Sequence, residues 1–271
     1  MKQYGVIYLY SKEHKLYLIK LKLKKLLILL TQITIFISFI IIWELLSKYN
    51  LINSFIFSSP SKIIKTLIEL YNTNNLFPHI YTTTLEVIIS FSLSTILGFT
   101  LALLFYLFPT LKTILDPFIT LFNSLPKVAL GPLIIIWMGA NIKSIILMSL
   151  LINLIVTTIT IHNGFISVDE YKIKLFKVYK SSKLNLITKL IIPSSKNEII
   201  SSLKINISYC LIGVIMGEFL SCKKGIGYLI LYGTQVFNLS LVMCGILLLL
   251  LLSFIFVLII NYIDKKTSSM N

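Results

Sequence analysis

Charged residues stand inside long apolar stretches of the chain, among them Glu86, Lys204 and Glu218. A charged side chain is costly in hydrocarbon, so each is expected to face protein or water, where it lines a solute pathway or pins helices together. Lys204 is close enough to the end of its stretch to extend its ammonium group to the membrane surface, and Glu218 is close enough to reach lipid headgroups. The sequence leaves both interpretations open.

No catalytic or metal-binding constellation accompanies these residues. The chain contains no H-E-x-x-H, G-x-S-x-G or G-x-x-x-x-G-K-[ST] run, so metalloprotease, serine hydrolase and P-loop ATPase chemistry are not indicated. The histidines are far apart in sequence, and the cysteines are odd in number and scattered. We therefore expect no catalytic residue, no metal site and no cofactor. The histidines and cysteines in question are His14, His79, His162, Cys210, Cys222 and Cys244.

Apolar segments of membrane-spanning length position the charged residues. Hydrophobic residues make up 56% of the 271 positions, and charged residues make up only 13%. A typical soluble domain is about half apolar and about one quarter charged. Apolar segments of roughly 20 residues are typical of transmembrane helices. The composition predicts an all-α polytopic membrane protein with six transmembrane helices, at 26–46, 84–108, 115–138, 142–162, 199–220 and 241–262.

The third predicted span contains three prolines, Pro117, Pro126 and Pro132. Each proline removes a backbone hydrogen bond, so we expect the helix to be bent. A bent helix suits the wall of a cavity, and simple packing against neighbouring helices explains the prolines equally well.

All 25 basic residues are lysine, and the formal net charge is +15. The absence of arginine argues against a nucleic-acid partner, whose phosphates and bases favour the guanidinium fork. Cytoplasmic loops carry the excess of positive charge. Placing both termini in the cytoplasm puts seventeen lysines inside and six outside, with Lys127 and Lys204 within or near spans. The sequence therefore predicts that both termini are cytoplasmic.

Four segments follow from this topology. Residues 1–25 form a basic cytoplasmic N-terminus, and residues 26–58 form the first transmembrane helix and its outer connection. Residues 59–263 form the core, which begins with a short amphipathic helix capped by Ser59. Residues 264–271 form a cytoplasmic tail.

A lysine-rich segment, residues 169–195, separates the fourth and fifth predicted spans. Its apolar residues recur at helical spacing, break near the middle and stop at Pro193, so two short cytoplasmic helices are predicted. Apolar side chains around Leu175, Phe176 and Tyr179 are expected to form a docking surface for a partner protein. A basic surface helix lying on anionic lipid is the alternative.

Two segments space proline, tryptophan, glycine and acidic residues in a specific way: SLPKVALGPLIIIWMG at 124–139 and GEFLSCKKGIGYLI at 217–230. With them, residues 59–263 resemble the inner-membrane permease subunits of type I ABC importers. These form a binding-protein-dependent transport family, and the resemblance is to its nitrate, sulfonate and taurine branch. It implies a transport subunit that is not an enzyme.

The resemblance implies that residues 169–195 are the coupling loop, which in this family contacts a separate ATPase subunit. The family's loop carries a Glu-Ala-Ala motif, a glycine and an Ile-Pro ending. Counted back from the proline, these positions are Lys174, Leu175 and Phe176 for the motif, Lys180 for the glycine, and Ile192 and Pro193 for the ending.

This chain departs from the family's loop at the motif and at the glycine. Lys174 reverses the charge of the family's glutamate at the expected contact. Lys180 replaces glycine at a left-handed turn, where a residue with a Cβ is costly, unless Ser181 and Ser182 take the bend instead.

The resemblance also implies partners and a location. The partners are cytoplasmic ABC ATPase subunits, an extracytoplasmic solute-binding protein, a second permease copy in a homodimer, and the lipid bilayer of the inner or plasma membrane of a bacterium. The solute is a small anion such as nitrate, taurine or another sulfonate, or a vitamin precursor. The alternative function is a non-catalytic membrane assembly or scaffold protein, which would not require the segments 124–139 and 217–230.

Overall fold

The computed structural model describes residues 12–221 and 223–268, and within them every regular element is a helix. The backbone divides into two units, Met1–Ile63 and Ile64–Asn271. Part of the predicted cytoplasmic N-terminus, Cys222 and the end of the predicted tail lie outside the described residues.

The first unit is dominated by one long helix, α1, Lys12–Lys48. Its large apolar side chains are exposed on all sides, as expected for a helix surrounded by lipid. A short helix α2, Ser54–Phe57, follows, and then α3, Pro60–Asn72, begins. The Glu44 carboxylate accepts hydrogen bonds from the Ser61 backbone N–H at 3.0 Å and from its hydroxyl at 2.7 Å, which ties α1 to the first turn of α3.

The second unit contains the remaining helices, which follow one another with short connections. The α-helices described in it are α4, Leu76–Leu107; α5, Pro109–Ser124; α6, Gly131–Met138; α7, Ile142–Ile166; α8, Glu170–Val178; α9, Lys183–Leu186; α10, Ile192–Ser194; α11, Lys196–Ser221; α12, Ile226–Gln235; and α13, Leu239–Ser268. A 3₁₀ turn, Lys127–Leu130, precedes α6, and a π turn, Ile187–Ile191, precedes α10.

Five helices of the described chain are long and apolar enough to cross a membrane: α1, α4, α7, α11 and α13. Helix α5 and the segment Lys127–Met138 together form a further candidate span, bent by 83°. The predicted all-α membrane fold with six spans is therefore confirmed when the bent pair is counted as one span.

The bend lies at Pro126, the second of the three prolines in the third span. The residue before a proline is pushed out of the helical region, and Leu125 accordingly adopts φ −66° and ψ 138°. Pro117 lies inside α5 without breaking it, and Pro132 lies in the first turn of α6, where a missing N–H costs little. The prolines thus contribute unequally, and Pro126 accounts for the break.

Helices α4, α7 and α11 pack against one another to form the centre of the second unit. Helices α7 and α11 approach closely at Gly213 of α11, where an added Cβ would lie 2.5 Å from the Cα of Ser149 on α7. Because lipid gives no hydrophobic drive for helix association, small residues that permit such contacts are typical of membrane helix interfaces. Helix α12 packs against α11 and α13 at the edge of this core.

A buried polar network joins the same three helices. The Asn153 side-chain amide of α7 donates to Ser94 Oγ of α4 at 3.0 Å and also bonds the Asn206 side-chain oxygen of α11. The Asn206 amide donates to Thr95 Oγ1 at 2.9 Å. Interhelical hydrogen bonds of this kind stabilise membrane helices modestly, at about 0.6 kcal/mol on average, and they fix which helix faces meet.

Candidate coupling loop and membrane-embedded sites

The predicted coupling loop begins with α8, whose two ends are set by local hydrogen bonds. Asp169 Oδ1 accepts from the Tyr171 backbone N–H at 2.8 Å, which caps the start of the helix. At the other end, the Lys180 N–H donates to the Lys177 carbonyl at 3.0 Å and the Ser181 N–H to the Phe176 carbonyl at 3.1 Å. This pair of bonds is a Schellman motif, which requires a left-handed residue directly after the helix.

Helix α8 presents two different faces. Ile173 and Phe176 are partly buried and pack against a hydrophobic core cluster. The opposite side, which we call the α8 face, is formed by exposed apolar side chains four or three residues apart, so they share one stripe. These are Tyr171, 80% exposed, Leu175, 53%, Val178, 77%, and Tyr179, 78%.

Phe176, which the sequence places in the docking stripe, is partly buried and packs against this cluster. The cluster includes Phe165 of α7 and Ile191 of the π turn, both fully buried. Helical geometry explains the difference, because Phe176 lies one residue after Leu175 and is therefore rotated away from the α8 face by about 100°. Phe176 anchors the loop to its own chain, while Leu175 and Tyr179 remain available to a partner.

The second half of the loop returns the chain to the core. Ser182 Oγ accepts from the Asn185 N–H at 3.2 Å and caps α9. The π turn then follows, with Leu190 and Ile191 buried in the core cluster and Ile192 packed against it. Pro193 cannot donate a helical hydrogen bond, and the wider π turn directly before it accommodates this loss. Pro193 itself is exposed.

Glu218 lies at the far end of α11 from the coupling loop, in a buried cluster that we call the Glu218 corner: His79, Thr83, Glu86, Glu218 and Gly225. Thr83 Oγ1 donates to Glu218 Oε1 at 2.6 Å and accepts from the Ile226 N–H at 2.7 Å. The Gly227 N–H donates to Glu218 Oε2 at 2.5 Å. The corner thereby holds α4, α11 and the start of α12 together.

Glu86 and Glu218, which are 132 positions apart in the sequence (218 minus 86), meet in this corner. Their carboxyl groups hydrogen-bond to each other, and both side chains are almost fully buried, at 1% and 0% exposed. A hydrogen bond between two carboxyl groups requires a proton on one of them.

Lys204, the remaining candidate beside Glu86 and Glu218, lies elsewhere. Its Nζ is 3.4 Å from Asp264 Oδ2, which joins α11 to α13. Both side chains are about one-third exposed, at 36% and 32%. The structure thus brings Glu86 and Glu218 together and places Lys204 apart from them, with a carboxylate partner of its own.

The sequence matches the family model of the binding-protein-dependent transport system inner membrane component over residues 94–269. That match covers more than half of the chain. The chain belongs to this family. Its members are permease subunits of ABC transporters, and ATP hydrolysis takes place on separate subunits. The chain is therefore a multi-pass membrane permease subunit of an ABC importer.

Curated relatives support the same assignment. The permease is 26% identical over 214 residues to a probable ABC transporter permease protein of Haemophilus influenzae, covering 79% of this chain and 86% of the relative. It is 26% identical to the formylaminopyrimidine transport permease protein of Halalkalibacterium halodurans, covering 71% and 76%. It is 21% identical to the taurine transport system permease protein of Escherichia coli, covering 83% and 84%.

A solved structure has the same fold. A chain from inward-facing conformations of the MetNI methionine ABC transporter aligns with a TM-score of 0.64, at 14% identity, over 70% of the permease and 95% of that chain. At this identity the likeness concerns the fold alone. The permease accordingly has the all-α type I ABC importer permease fold.

Lys180 itself takes the turn at the position where the sequence predicts the family's glycine. Its φ is +52°, and neither Ser181 nor Ser182 has a positive φ. Lys174, at the position of the family's glutamate, pairs with Glu170 at 3.5 Å on the same helix, with both side chains largely exposed. Such a surface pair contributes little stability.

Lys180→Gly should stabilise the permease slightly, whereas Lys172→Gly should destabilise it. A left-handed residue with a Cβ costs about 1–2 kcal/mol, which glycine relieves while adding entropy to the unfolded chain. Lys172 lies inside α8, where glycine costs about 1 kcal/mol. Thermal unfolding of both variants measures the two signs, and a lower midpoint for Lys180→Gly would contradict the strain at this turn.

Several residues of these sites were not singled out by their sequence. His79 and Thr83 look like the polar margin of a span, and Asn153 and Asn206 are single amides in apolar runs. A lone amide in a transmembrane helix is itself a signal, because it needs a partner on another helix. Lys127 shows only its charge in the sequence, because its surroundings depend on the bend at Pro126.

Proposed function

We propose that the permease forms half of the translocation pathway of an ATP-driven importer in a bacterial cell membrane. Cytoplasmic ATPase subunits would supply the energy, and an extracytoplasmic binding protein would deliver a small solute. Relatives named for taurine and formylaminopyrimidine support a small polar solute.

The exposed α8 face is the observation that most supports an ATPase contact. It exposes four apolar side chains on one helix that is otherwise attached firmly to the permease. A helix that lay on lipid would instead be expected to turn its lysines to one side and its apolar stripe into the membrane. We assign Leu175 and Tyr179 to contact with the ATPase, with Lys174 at the edge of that contact.

The other residues of the loop would transmit force. Phe176 and Ile192 pack on a cluster that includes Ala102 of α4 and Phe165 of α7. Because packed interiors deform little, displacement of α8 by ATPase closure would move α4 and α7 with it. Lys180 sets the angle between the two halves of the loop, and Pro193 ends it before α11 begins. Alternating access would follow as a rigid-body movement.

We further propose that residues 1–25 and 264–271 lie in the cytoplasm and that residues 26–58 form the first span and its outer connection. The core, residues 59–263, would then place the Glu218 corner toward the outer surface and the coupling loop inside. In this arrangement Glu86 and Glu218 pin the outer ends of the helices, and Lys204 lies toward the cytoplasm with Asp264.

Topology reporters test this orientation. A reporter inserted at Ser181 and another fused after Asn271 should both read as cytoplasmic, and one inserted at Asn74 should read as external, because the lysine excess favours that arrangement. An external signal at Ser181 would contradict the coupling role of the loop, whatever the signals at the other two positions.

We propose that two copies of the permease assemble with two ATPase subunits. Each copy supplies one coupling loop, and a closed symmetric assembly is the common solution for such subunits. The bent span offers an apolar surface for a second copy, with Phe118, Leu121 and Phe122 more than half exposed. Crosslinking of the purified complex should give two copies of the permease and two of the ATPase subunit. A complex that contains one copy of this permease and one copy of a different permease would contradict the homodimer.

A further inference from the structure

A cleft opens at the bend of the third span, about midway along the neighbouring helices. Its volume is about 360 Å³, and its walls come from α5, the 3₁₀ turn, α7 and α11. The volume lies at the lower end of the range for small-molecule sites, about 300–1,000 Å³. Three polar side chains line it among apolar ones: Asn123, Lys127 and Tyr209.

Lys127 brings a positive charge to this cleft. Its Nζ donates to Asn123 Oδ1 at 3.4 Å and to the Ile152 carbonyl at 3.3 Å. Both acceptors are neutral and both distances are long. Lys112 and Lys204, in contrast, each lie within 3.4 Å of a carboxylate. Charged residues at membrane depth are costly, so they usually pair or serve a ligand.

The position of Lys127 is fixed by the bend rather than by a flexible loop. Pro126 breaks the span, and Lys127 begins the 3₁₀ turn directly after it. Ile152 lies near the middle of α7 and Tyr209 near the middle of α11. The ammonium group is thus held beside the middle of α7, in a cleft that Tyr209 of α11 also lines.

We propose that Lys127, with Asn123 and Tyr209, forms a subsite for the anionic group of the transported solute, which is therefore a small organic anion. This inference rests on the proposed transport function and narrows its solute class. The ammonium group neutralises the anion, and the Asn123 amide and Tyr209 hydroxyl donate to its remaining oxygens. A neutral heterocyclic solute would leave the Lys127 charge uncompensated in the cleft.

The test uses the purified full-length permease together with the ATPase subunits that co-purify with it. Binding of ethanesulfonate, propionate and ethylphosphonate is measured by calorimetry at constant salt, and propionamide serves as the neutral probe of matched size. At least one anion should bind, and Lys127→Met should weaken that binding by about tenfold or more, as expected for loss of a charge-assisted contact. Lys127→Arg should retain most of it.

Two further variants keep the test decisive. Asn123→Asp places a carboxylate beside Lys127 on an exposed position, so it should abolish anion binding without loss of thermal stability. Lys112→Met removes a lysine of the same bent span that already pairs with Asp116, and it should bind as the parent does.

The subsite would be overturned if no anion binds the parent protein, or if Lys127→Met and Asn123→Asp bind an anion as tightly as the parent does. Loss of ATPase co-purification with anion binding intact would instead count against the proposed transport function alone. A lower unfolding temperature in Lys127→Met with unchanged anion affinity would assign Lys127 a structural role and likewise overturn the subsite.

Discussion

Gly225→Ala should destabilise the permease by about 3 kcal/mol or more, since backbone strain and the loss of charged hydrogen bonds combine at one position. Gly225 adopts φ +118°, and an added Cβ would lie 2.3–2.5 Å from the carboxyl atoms of Glu218. The carboxyl group would have to move, which breaks its bonds to Thr83 and Gly227. The expected measurement is a large fall in the thermal unfolding midpoint and in the yield of folded permease.

Gly139→Ala is the matched control for this prediction. Gly139 also has a positive φ, +78°, but an added Cβ would meet only Asn141 Nδ2, at 3.3 Å. Gly139→Ala should therefore cost only the backbone strain of a left-handed residue with a Cβ, about 1–2 kcal/mol. An equal effect of the two substitutions would mean that the Glu218 corner contributes nothing beyond local backbone strain.

The double substitution Leu175→Ala with Tyr179→Ala should abolish stable association with the ATPase. Each removes an apolar side chain from the α8 face, and truncation of an interface anchor often costs about 2 kcal/mol or more. Both residues are exposed, at 53% and 78%, so membrane insertion and thermal stability of the permease should be unchanged. Co-purification and ATP hydrolysis by the complex measure the loss.

Two controls separate docking from folding. Phe176→Ala removes a side chain packed against the core cluster, so it should lower the stability of the permease itself as well as the coupling. Lys172→Ala should have little effect, because an exposed charge is worth about 1 kcal/mol at most. Full ATPase association in the double variant would show that the ATPase contact lies outside the α8 face.

The spans were predictable because their length and apolar content are local properties of the sequence. The boundaries of the spans were less predictable than their number. Helix α4 begins at Leu76 rather than at residue 84, because His79 and Thr83 are polar by type yet buried by partners on α11 and α12. Helix α1 extends back to Lys12, since alternating lysine and leucine residues continue a helix readily.

The sites depended more on tertiary structure. The pairing of Glu86 with Glu218 joins residues on two different helices, and no local pattern indicates it. The resemblance placed Lys180 at a turn, and its φ of +52° agrees. The periodicity of the coupling loop identified its helices but not which apolar residues face inward, since both sides of α8 carry apolar side chains. That distinction required the core cluster against which Phe176 packs.

Photo-crosslinking from the α8 face tests the central claim most directly. Benzoylphenylalanine placed at Tyr179 should form an adduct with the co-expressed ATPase subunit, and the adduct should depend on the ATPase being folded and present in the membrane fraction. The same probe at Phe237, which is 72% exposed and lies between α12 and α13, should give no ATPase adduct. Adducts with lipid alone at Tyr179, or with the ATPase at Phe237, would contradict the account.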